Sequence, residues 1–471
     1  MTSEQPDLTR ALVSFLASLR FQDLPRDVVV GAQAAVIDHL ACLIYGMDQP
    51  WLKTVRQALL VDGGRTDGDA FVFGTGRRTT AGNAAFINGT AAHGFELDDI
   101  YYRTHPGSVV IPAAMACAGA QAHDGRELLT AVVAGYELIG RVARSIGVAH
   151  SDLGFHTMGV VGPFGAAAAA ASVRGFDVDE WNSAVGIAAS FGSGIKAFVH
   201  GPGMVKRLHA GQASKNGVLA AELAAAGFAG PAQPLEGRFG FCRVYAPADS
   251  DLPRLCDGLG QEFAVADVYL KPYSCCGALH GVIRAAEQLK ADHDFEIDDV
   301  ASVVIGTTAH GMQKSQPRPV DVLTTQYSLE SGAVLALLGR AGDPTSFRPE
   351  VVTTGEAGRV LAGMQVRVDD EAESHFPDSM DSRLTVRLRD GREVSAYGVG
   401  HVQGDRNLTP GERWEVAVRK FHRLGAGHLS ADQRDKVVAA VRDLADGAAT
   451  DQLMGLLAGG PKVPSAGEET R

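Results

Sequence analysis

The sequence predicts a mainly α protein with a second α+β domain, on three observations. From residue 7 to about 230, apolar residues recur at spacings of three and four in an Ala-rich background, which is the period of packed helices. After about residue 265 the texture becomes β-branched and alternating, and a helical period returns at about 430–457. A length of 471 residues accommodates about two or three domains of ordinary size.

The elements follow in order. Asp23-Leu24-Pro25 places a proline in the first turn of a helix running through Val28, Ala32, Ala35, Val36, His39, Leu40 and Leu43, which ends near Gly46. Further helices are expected at about 80–92, 108–122, 126–147, 158–174, 178–190 and 211–227, with Gly-containing loops between them. The run at 300–308 is short and β-branched, and 364–369 alternates. Two alternating runs flank Asp390-Gly391, a hairpin signal because both turn positions accept positive φ. Helices near 277–291 and 328–340 interrupt these strands, so the stretch reads as a separate α+β domain. Residues 459–471 are a polar Gly/Pro/Ser tail of disordered character.

Composition removes several classes of function. With 45% hydrophobic and 21% charged residues, the chain is globular rather than disordered, collagenous or coiled-coil. A net charge of −12 without a basic stripe argues against a nucleic-acid partner. Six scattered cysteines with no CxxC pair make neither a disulfide framework nor a zinc ribbon, which suits a reducing cytoplasm. The N-terminus lacks the basic and apolar regions of a secretory signal, and no run of 18 apolar residues is free of charge, so a membrane span is not expected.

Four segments concentrate chemistry. The densest carries His93, Glu96, Asp98, Asp99, Arg103 and His105 between two apolar helices, ending in a His105-Pro106-Gly107 loop that leads into a helix. Its aspartates suit a helix cap or a metal as well as catalysis, and His93 suits a core histidine. A second segment sets His156 in a Gly-rich helix start, and a third gathers Lys206, Arg207, His209 and Lys215 among small residues. The fourth, at 271–280, holds Lys271, the adjacent Cys275 and Cys276, read as buried thiols, and His280. No GxGxxG follows a strand, and neither GxSxG nor HExxH occurs. Cations that pair with carboxylates, together with groups that move protons near neutral pH, point to proton chemistry on an acidic metabolite.

These segments resemble the MmgE/PrpD family, which includes 2-methylcitrate dehydratases, cis-aconitate decarboxylases and iminodisuccinate epimerases. The likeness rests on Phe86-Ile-Asn88-Gly89, His93, Asp98-Asp99, His105-Pro106-Gly107, Pro112-Ala113, Gly135-Tyr-Glu137, Gly154-Phe-His156 and the 206–217 and 271–280 segments, in family order over about residues 30–340. It implies a helical body made from residues 1–268 and 405–458, an inserted α+β lid at 269–404, a homodimer and no cofactor. It also implies a site between the domains containing the acidic loop, His105, His156, Lys206 and Lys271. Where dehydratase and decarboxylase relatives read Asp-x-Asp-Asp, this chain has Glu96 in the first position. Ser331 stands where the family's lid tyrosine is expected, with Tyr327 nearby as a substitute.

The resemblance implies a lyase that dehydrates a hydroxy-carboxylic acid by removing a proton α to a carboxylate or carbonyl. In that scheme His105 and His156 are base and acid in either order, and Lys206 and Lys271 hold carboxylates. Asp98 or Asp99 orients a histidine or the substrate hydroxyl, Glu96 joins them as a catalytic carboxylate, and His93, Ser331 and Tyr327 complete the substrate-binding set. Epimerisation, decarboxylation and a catalytically silent dimer are the alternatives. No metal, nucleic acid or membrane enters the scheme.

Overall fold

A computed structural model of the protein describes residues 7–60, 68–119, 123–200, 203–402, 404–405 and 407–459. The tail expected at 459–471 lies outside the described residues except for Gly459.

Two hydrophobic cores divide the chain. The larger joins residues from Leu12 to Leu270 with residues from Trp414 to Leu457, and the second lies wholly between Tyr273 and Val402. The second core is therefore inserted between two stretches of chain that share the first.

The body is built on helix Thr157–Val173, whose residues from Thr157 to Ala171 are all buried. It packs against helices Gly107–Ala118, Gly125–Ile146 and His209–Ala225. Small residues permit these close approaches: a Cβ on Gly217 would lie 2.4 Å from the Ala166 Cβ. Helix starts are set locally. Thr80 caps Ala81–His93, Asp124 caps Gly125–Ile146, and Asp177 with Glu180 forms a capping box on Val178–Ala189. Helix Arg26–Gly46 begins after Pro25, which is its N-cap rather than a first-turn residue. It is long and apolar enough to cross a membrane, but 83% of its apolar window is buried inside the body. A short hairpin of β1 (Ala70–Val72) and β2 (Arg77–Thr79), not foreseen from sequence, lies beside helix Ala81–His93.

The inserted domain holds β3 (Val300–Thr307), β4 (Gln365–Val368), β5 (Ser382–Leu388) and β6 (Glu393–Gly398) in the order β4-β3-β5-β6. The β3–β4 pair is parallel and the others antiparallel. The β5–β6 hairpin turns at Asp390-Gly391 with Gly391 at φ 93°. Ser382, Leu384, Val386 and Leu388 of β5 face inward, and helix His280–Asp292 packs against β5 and β6.

The chain returns to the body through helix Pro410–Gly425, which sequence periodicity did not announce. Its start is a Thr409/Glu412 capping box with Pro410 in the first turn. The helical run expected at 430–457 is two helices, Ala431–Asp443 and Thr450–Ala458, separated at left-handed Gly447.

Both crossings between the domains touch the acidic loop. Ile100 and Tyr269 exchange backbone hydrogen bonds of 2.8 and 2.9 Å, and the Arg103 N–H donates to the Val402 carbonyl at 3.0 Å. The crossings also meet each other, the Asp405 N–H donating to the Asp267 carbonyl at 2.7 Å. A small apolar cluster of Phe198 and Val199 from the body with Leu323 and Tyr327 from the insert completes the contact.

Candidate active site

The acidic loop is bent tightly. Glu96, Tyr102 and Arg103 are the only non-glycine residues with positive φ among the described residues, at 59°, 45° and 63°. Left-handed backbone costs side-chain-bearing residues about 1–3 kcal/mol each and persists where surrounding contacts over-determine it. Those contacts are polar. The Asp99 carboxylate accepts from the Gly107 N–H at 2.9 Å and from the Tyr136 hydroxyl at 2.7 Å, which fixes the start of helix Gly107–Ala118. Burial, together with the charge of Asp38, pushes Asp99 up to about 7.

Behind the loop lies a buried group of balanced charges. Lys206 donates to Glu96, and Lys271 Nζ lies 3.5 Å from Asp98 Oδ1 and 3.9 Å from Glu96 Oε2. Asp98 Oδ2 accepts from Ser108 Oγ at 2.6 Å and lies 2.7 Å from His93 Nδ1. Burial opposes ionisation of Glu96, yet Lys206 and Lys271 outweigh it and hold the carboxyl down to about 2. Asp98 is likewise kept well below the usual carboxylate range, with His105, His93 and Lys271 overcoming burial.

In front of this group is a cleft between the domains, lined by His105, His156, Phe198, Tyr327, Arg103, Lys196, Lys314, His310 and Cys276 with Ile100, Val199, Met380 and Val402 among its apolar walls. The His105 Nδ1 lies 2.8 Å from the Asp99 carbonyl oxygen, so the neutral ring donates there and Nε2 is its proton acceptor. Burial lowers His105 to about 3 despite nearby Asp98, and burial with the charge of Lys206 lowers His156 well below the usual imidazole range. Both rings are neutral near pH 7. An anionic ligand beside them shifts both values upward.

Of the residues singled out from sequence, the structure brings His105, His156 and Tyr327 to the cleft. Lys206, Lys271, His93, Glu96, Asp98 and Asp99 do not line it. They are buried against one another, because a carboxylate and an ammonium removed from water together cost less than either alone. In this arrangement Lys206, Lys271, His93 and the carboxylates brace the loop that carries His105. Ser331 belongs to the inserted domain. It is fully buried in helix Leu329–Leu337, its N–H bonded to Ser328 Oγ at 3.0 Å, and it does not line the cleft. The reading of both adjacent cysteines as buried thiols is corrected: Cys276 is half-buried at the cleft while Cys275 is fully buried.

Sequence reasoning passed over Arg103, Lys196, Lys314 and His310. It also missed His209, whose Nδ1 lies 2.7 Å from that of His156. Arg103 and His209 stood inside quoted segments, whereas Lys196 and Lys314 are single lysines in unremarkable loops.

His93, Asp98 and His105 place one ligand atom each within 4.8 Å of one another, the geometry of a possible metal site. Asp98 there is already shared by Ser108, His93 and Lys271, and an ammonium at 3.5 Å repels a divalent cation. The donor set fits an internal relay better than a metal centre.

Residues 10–252 match the family model for the MmgE/PrpD N-terminal domain, and residues 273–445 match that for the MmgE/PrpD C-terminal domain. The chain is 26% identical to the cis-aconitate decarboxylase-like protein oryM of Aspergillus oryzae, over 97% of this chain and 98% of that protein. It is 26% identical to a cis-aconitate decarboxylase of Aspergillus terreus over 81% of this chain and 86% of the relative. The human cis-aconitate decarboxylase is also 26% identical, over 77% of this chain and 76% of the relative.

Proposed function

Because the chain belongs to the MmgE/PrpD family, we propose that it is a cofactor-independent lyase that decarboxylates an unsaturated polycarboxylic acid of the cis-aconitate type. The observation that carries this reading is the pairing of two half-buried neutral histidines, His105 and His156, with apolar walls in one cleft. Loss of CO2 breaks one C–C bond and leaves an electron pair delocalised toward a neighbouring carboxylate. An apolar wall favours departure of the charged group as neutral CO2, and a cleft histidine passes a proton taken up from solvent to carbon. The relatives named above support the same reaction.

Dehydration of a hydroxy-carboxylic acid is the second reading. In that reading the Nε2 of His105, whose ring is oriented by the Asp99 carbonyl, takes the proton α to a carboxylate. A homodimer, checked by light scattering, belongs to the same proposal.

The test is incubation of the purified protein with cis-aconitate and, separately, with 2-methylcitrate, following CO2 and the alkene protons by NMR. CO2 release that falls about 10²- to 10⁴-fold in His105→Ala and His156→Ala supports the reading. Water loss from the hydroxy acid without CO2 selects dehydration, and no reaction with either acid overturns both.

A further inference from the structure

Lys314 is 6% exposed and lines the cleft, yet its ammonium has no ion pair or hydrogen bond among the described residues. The ammonium lies 5.6 Å from the centre of the Tyr327 ring. The side chain is nearly enclosed while its ammonium opens onto the cleft without a counter-ion, where an anionic ligand would complete it. Lys314 is not alone. Across the cleft, Arg103 leaves its Nη2 buried without a hydrogen-bond partner while the guanidinium stacks 5.0 Å over Phe376. Lys196 reaches the same cleft, its ammonium donating to the Ser151 carbonyl and hydroxyl at 2.7 and 2.8 Å, both uncharged.

These three cations feel one another. Burial lowers Lys196, and the charges of Lys314 and Arg103 lower it further, with exposed Asp152 acting in the opposite sense. Asp152 is not part of the lining, and no carboxylate lines the cleft among the described residues. The contrast with Lys206 and Lys271 is direct: those lysines have Glu96 and Asp98 as built-in partners, and these three have none inside the cleft.

We propose that Lys314 of the inserted domain, with Arg103 and Lys196 of the body, forms a subsite for a carboxylate of the substrate remote from the reacting carbon, so that the ligand is a polycarboxylate bridging the two domains. The inference rests on the proposed function for the acid's chemistry and goes beyond it in assigning the residues that select its charge. One carboxylate end meets His105 and His156, and another meets the three cations, giving Lys314 a counter-ion only when substrate is bound.

The experiment uses propane-1,2,3-tricarboxylate, a saturated acid that lacks the double bond through which the proposed decarboxylation runs, so binding is read apart from turnover. Calorimetric titration of the full chain is compared with Lys314→Gln, Lys314→Arg and Arg103→Gln. Expected are a Kd weakened at least about tenfold in both glutamine variants and a value within about threefold of wild type in Lys314→Arg. The ligand-free Tm of Lys314→Gln should equal or exceed that of wild type, since a charge without a counter-ion has been removed from a nearly enclosed side chain; a merely structural lysine would lower it. No binding by wild type, unchanged binding in Lys314→Gln, or a loss accompanied by a lower ligand-free Tm overturns the subsite. Intact binding with no turnover of cis-aconitate overturns the reaction and leaves the subsite standing.

Discussion

His156 and His209 meet through their Nδ1 atoms at 2.7 Å, so one ring carries its proton at that position and the other does not. The contact ties the tautomer of a cleft histidine to a neighbour on helix His209–Ala225. His209→Ala frees the His156 ring, and we expect kcat to fall by about 10²-fold with KM within about twofold. His209→Asn, which can still donate or accept, should recover part of the loss. Equal effects on kcat and KM from both variants would show that His209 only fills space.

The Asp38–Lys420 pair, 2.7 Å apart and almost fully buried, joins helix Arg26–Gly46 to helix Pro410–Gly425. Removing only the cation in Lys420→Met strands a carboxylate whose pKa burial already raises. The expected cost is about 3–5 kcal/mol in denaturant unfolding, with most of it regained in the double variant Asp38→Asn/Lys420→Met. Additive losses would mean that the two groups are energetically independent.

Stability should fall as pH drops from 7 toward 5. His39 and His105 are held at about 3, first by burial, against 6.5 for a free imidazole. Between those values the unfolded chain binds more protons than the folded one, so stability rises with pH across that window and is lost as pH falls through it. Asp99, raised to about 7, acts in the opposite direction, its contribution being lost as pH rises through 7. His156 and His280, both lowered by burial, add to the histidine side. Both ring nitrogens of His39 lack partners, so His39→Leu should flatten the profile. A Tm at pH 5 equal to that at pH 7 would contradict this balance.

Ser331→Tyr should act on folding rather than on substrate choice. The side chain is fully buried beside Gly332, whose own Cβ would sit 3.3 Å from Ile283, and a phenol there overpacks the second core. A loss of about 1–3 kcal/mol or more is expected, with the selectivity of the remaining folded enzyme unchanged. A stable variant with altered selectivity would return Ser331 to the cleft.

Chelation should leave turnover unchanged, since Asp98 is engaged by Ser108, His93 and Lys271. EDTA dialysis followed by assay decides it. Activity lost on dialysis and restored by a divalent cation would place a metal on His93, Asp98 and His105.

Much of the body was legible because its signals are local. Thr80, Asp124 and Asp177 cap the helices they precede, and Asp390-Gly391 turns the hairpin that its flanking runs require. What escaped is non-local. Nothing near Val300–Thr307 says that it pairs in parallel with Gln365–Val368, and the start of helix Pro410–Gly425 was visible only as Thr409 and Glu412 in a capping box. At the site, the sequence named His105 and His156 through their motifs and Tyr327 only as a substitute for a lid tyrosine. It did not reveal that Glu96 and Asp98 would neutralise Lys206 and Lys271, because charge partners are chosen by the fold. Lys196 and Lys314, 118 positions apart by their numbering, gain meaning only when the domains meet.

The hydrogen bond from Asp405 to Asp267 brings the two ends of the inserted domain together, the geometry of a module that could be cut out and its flanks rejoined. Such surgery would spare the core of the body but strip two supports from the loop that carries His105. Ile100 would lose its partner if Tyr269 moved, and the left-handed Arg103 would lose the Val402 carbonyl. The halves of this chain are therefore not interchangeable parts. A foreign insert grafted at these crossings must supply a backbone acceptor in the place of Val402 and leave Tyr269 paired, or the recipient keeps its fold and loses its histidine geometry.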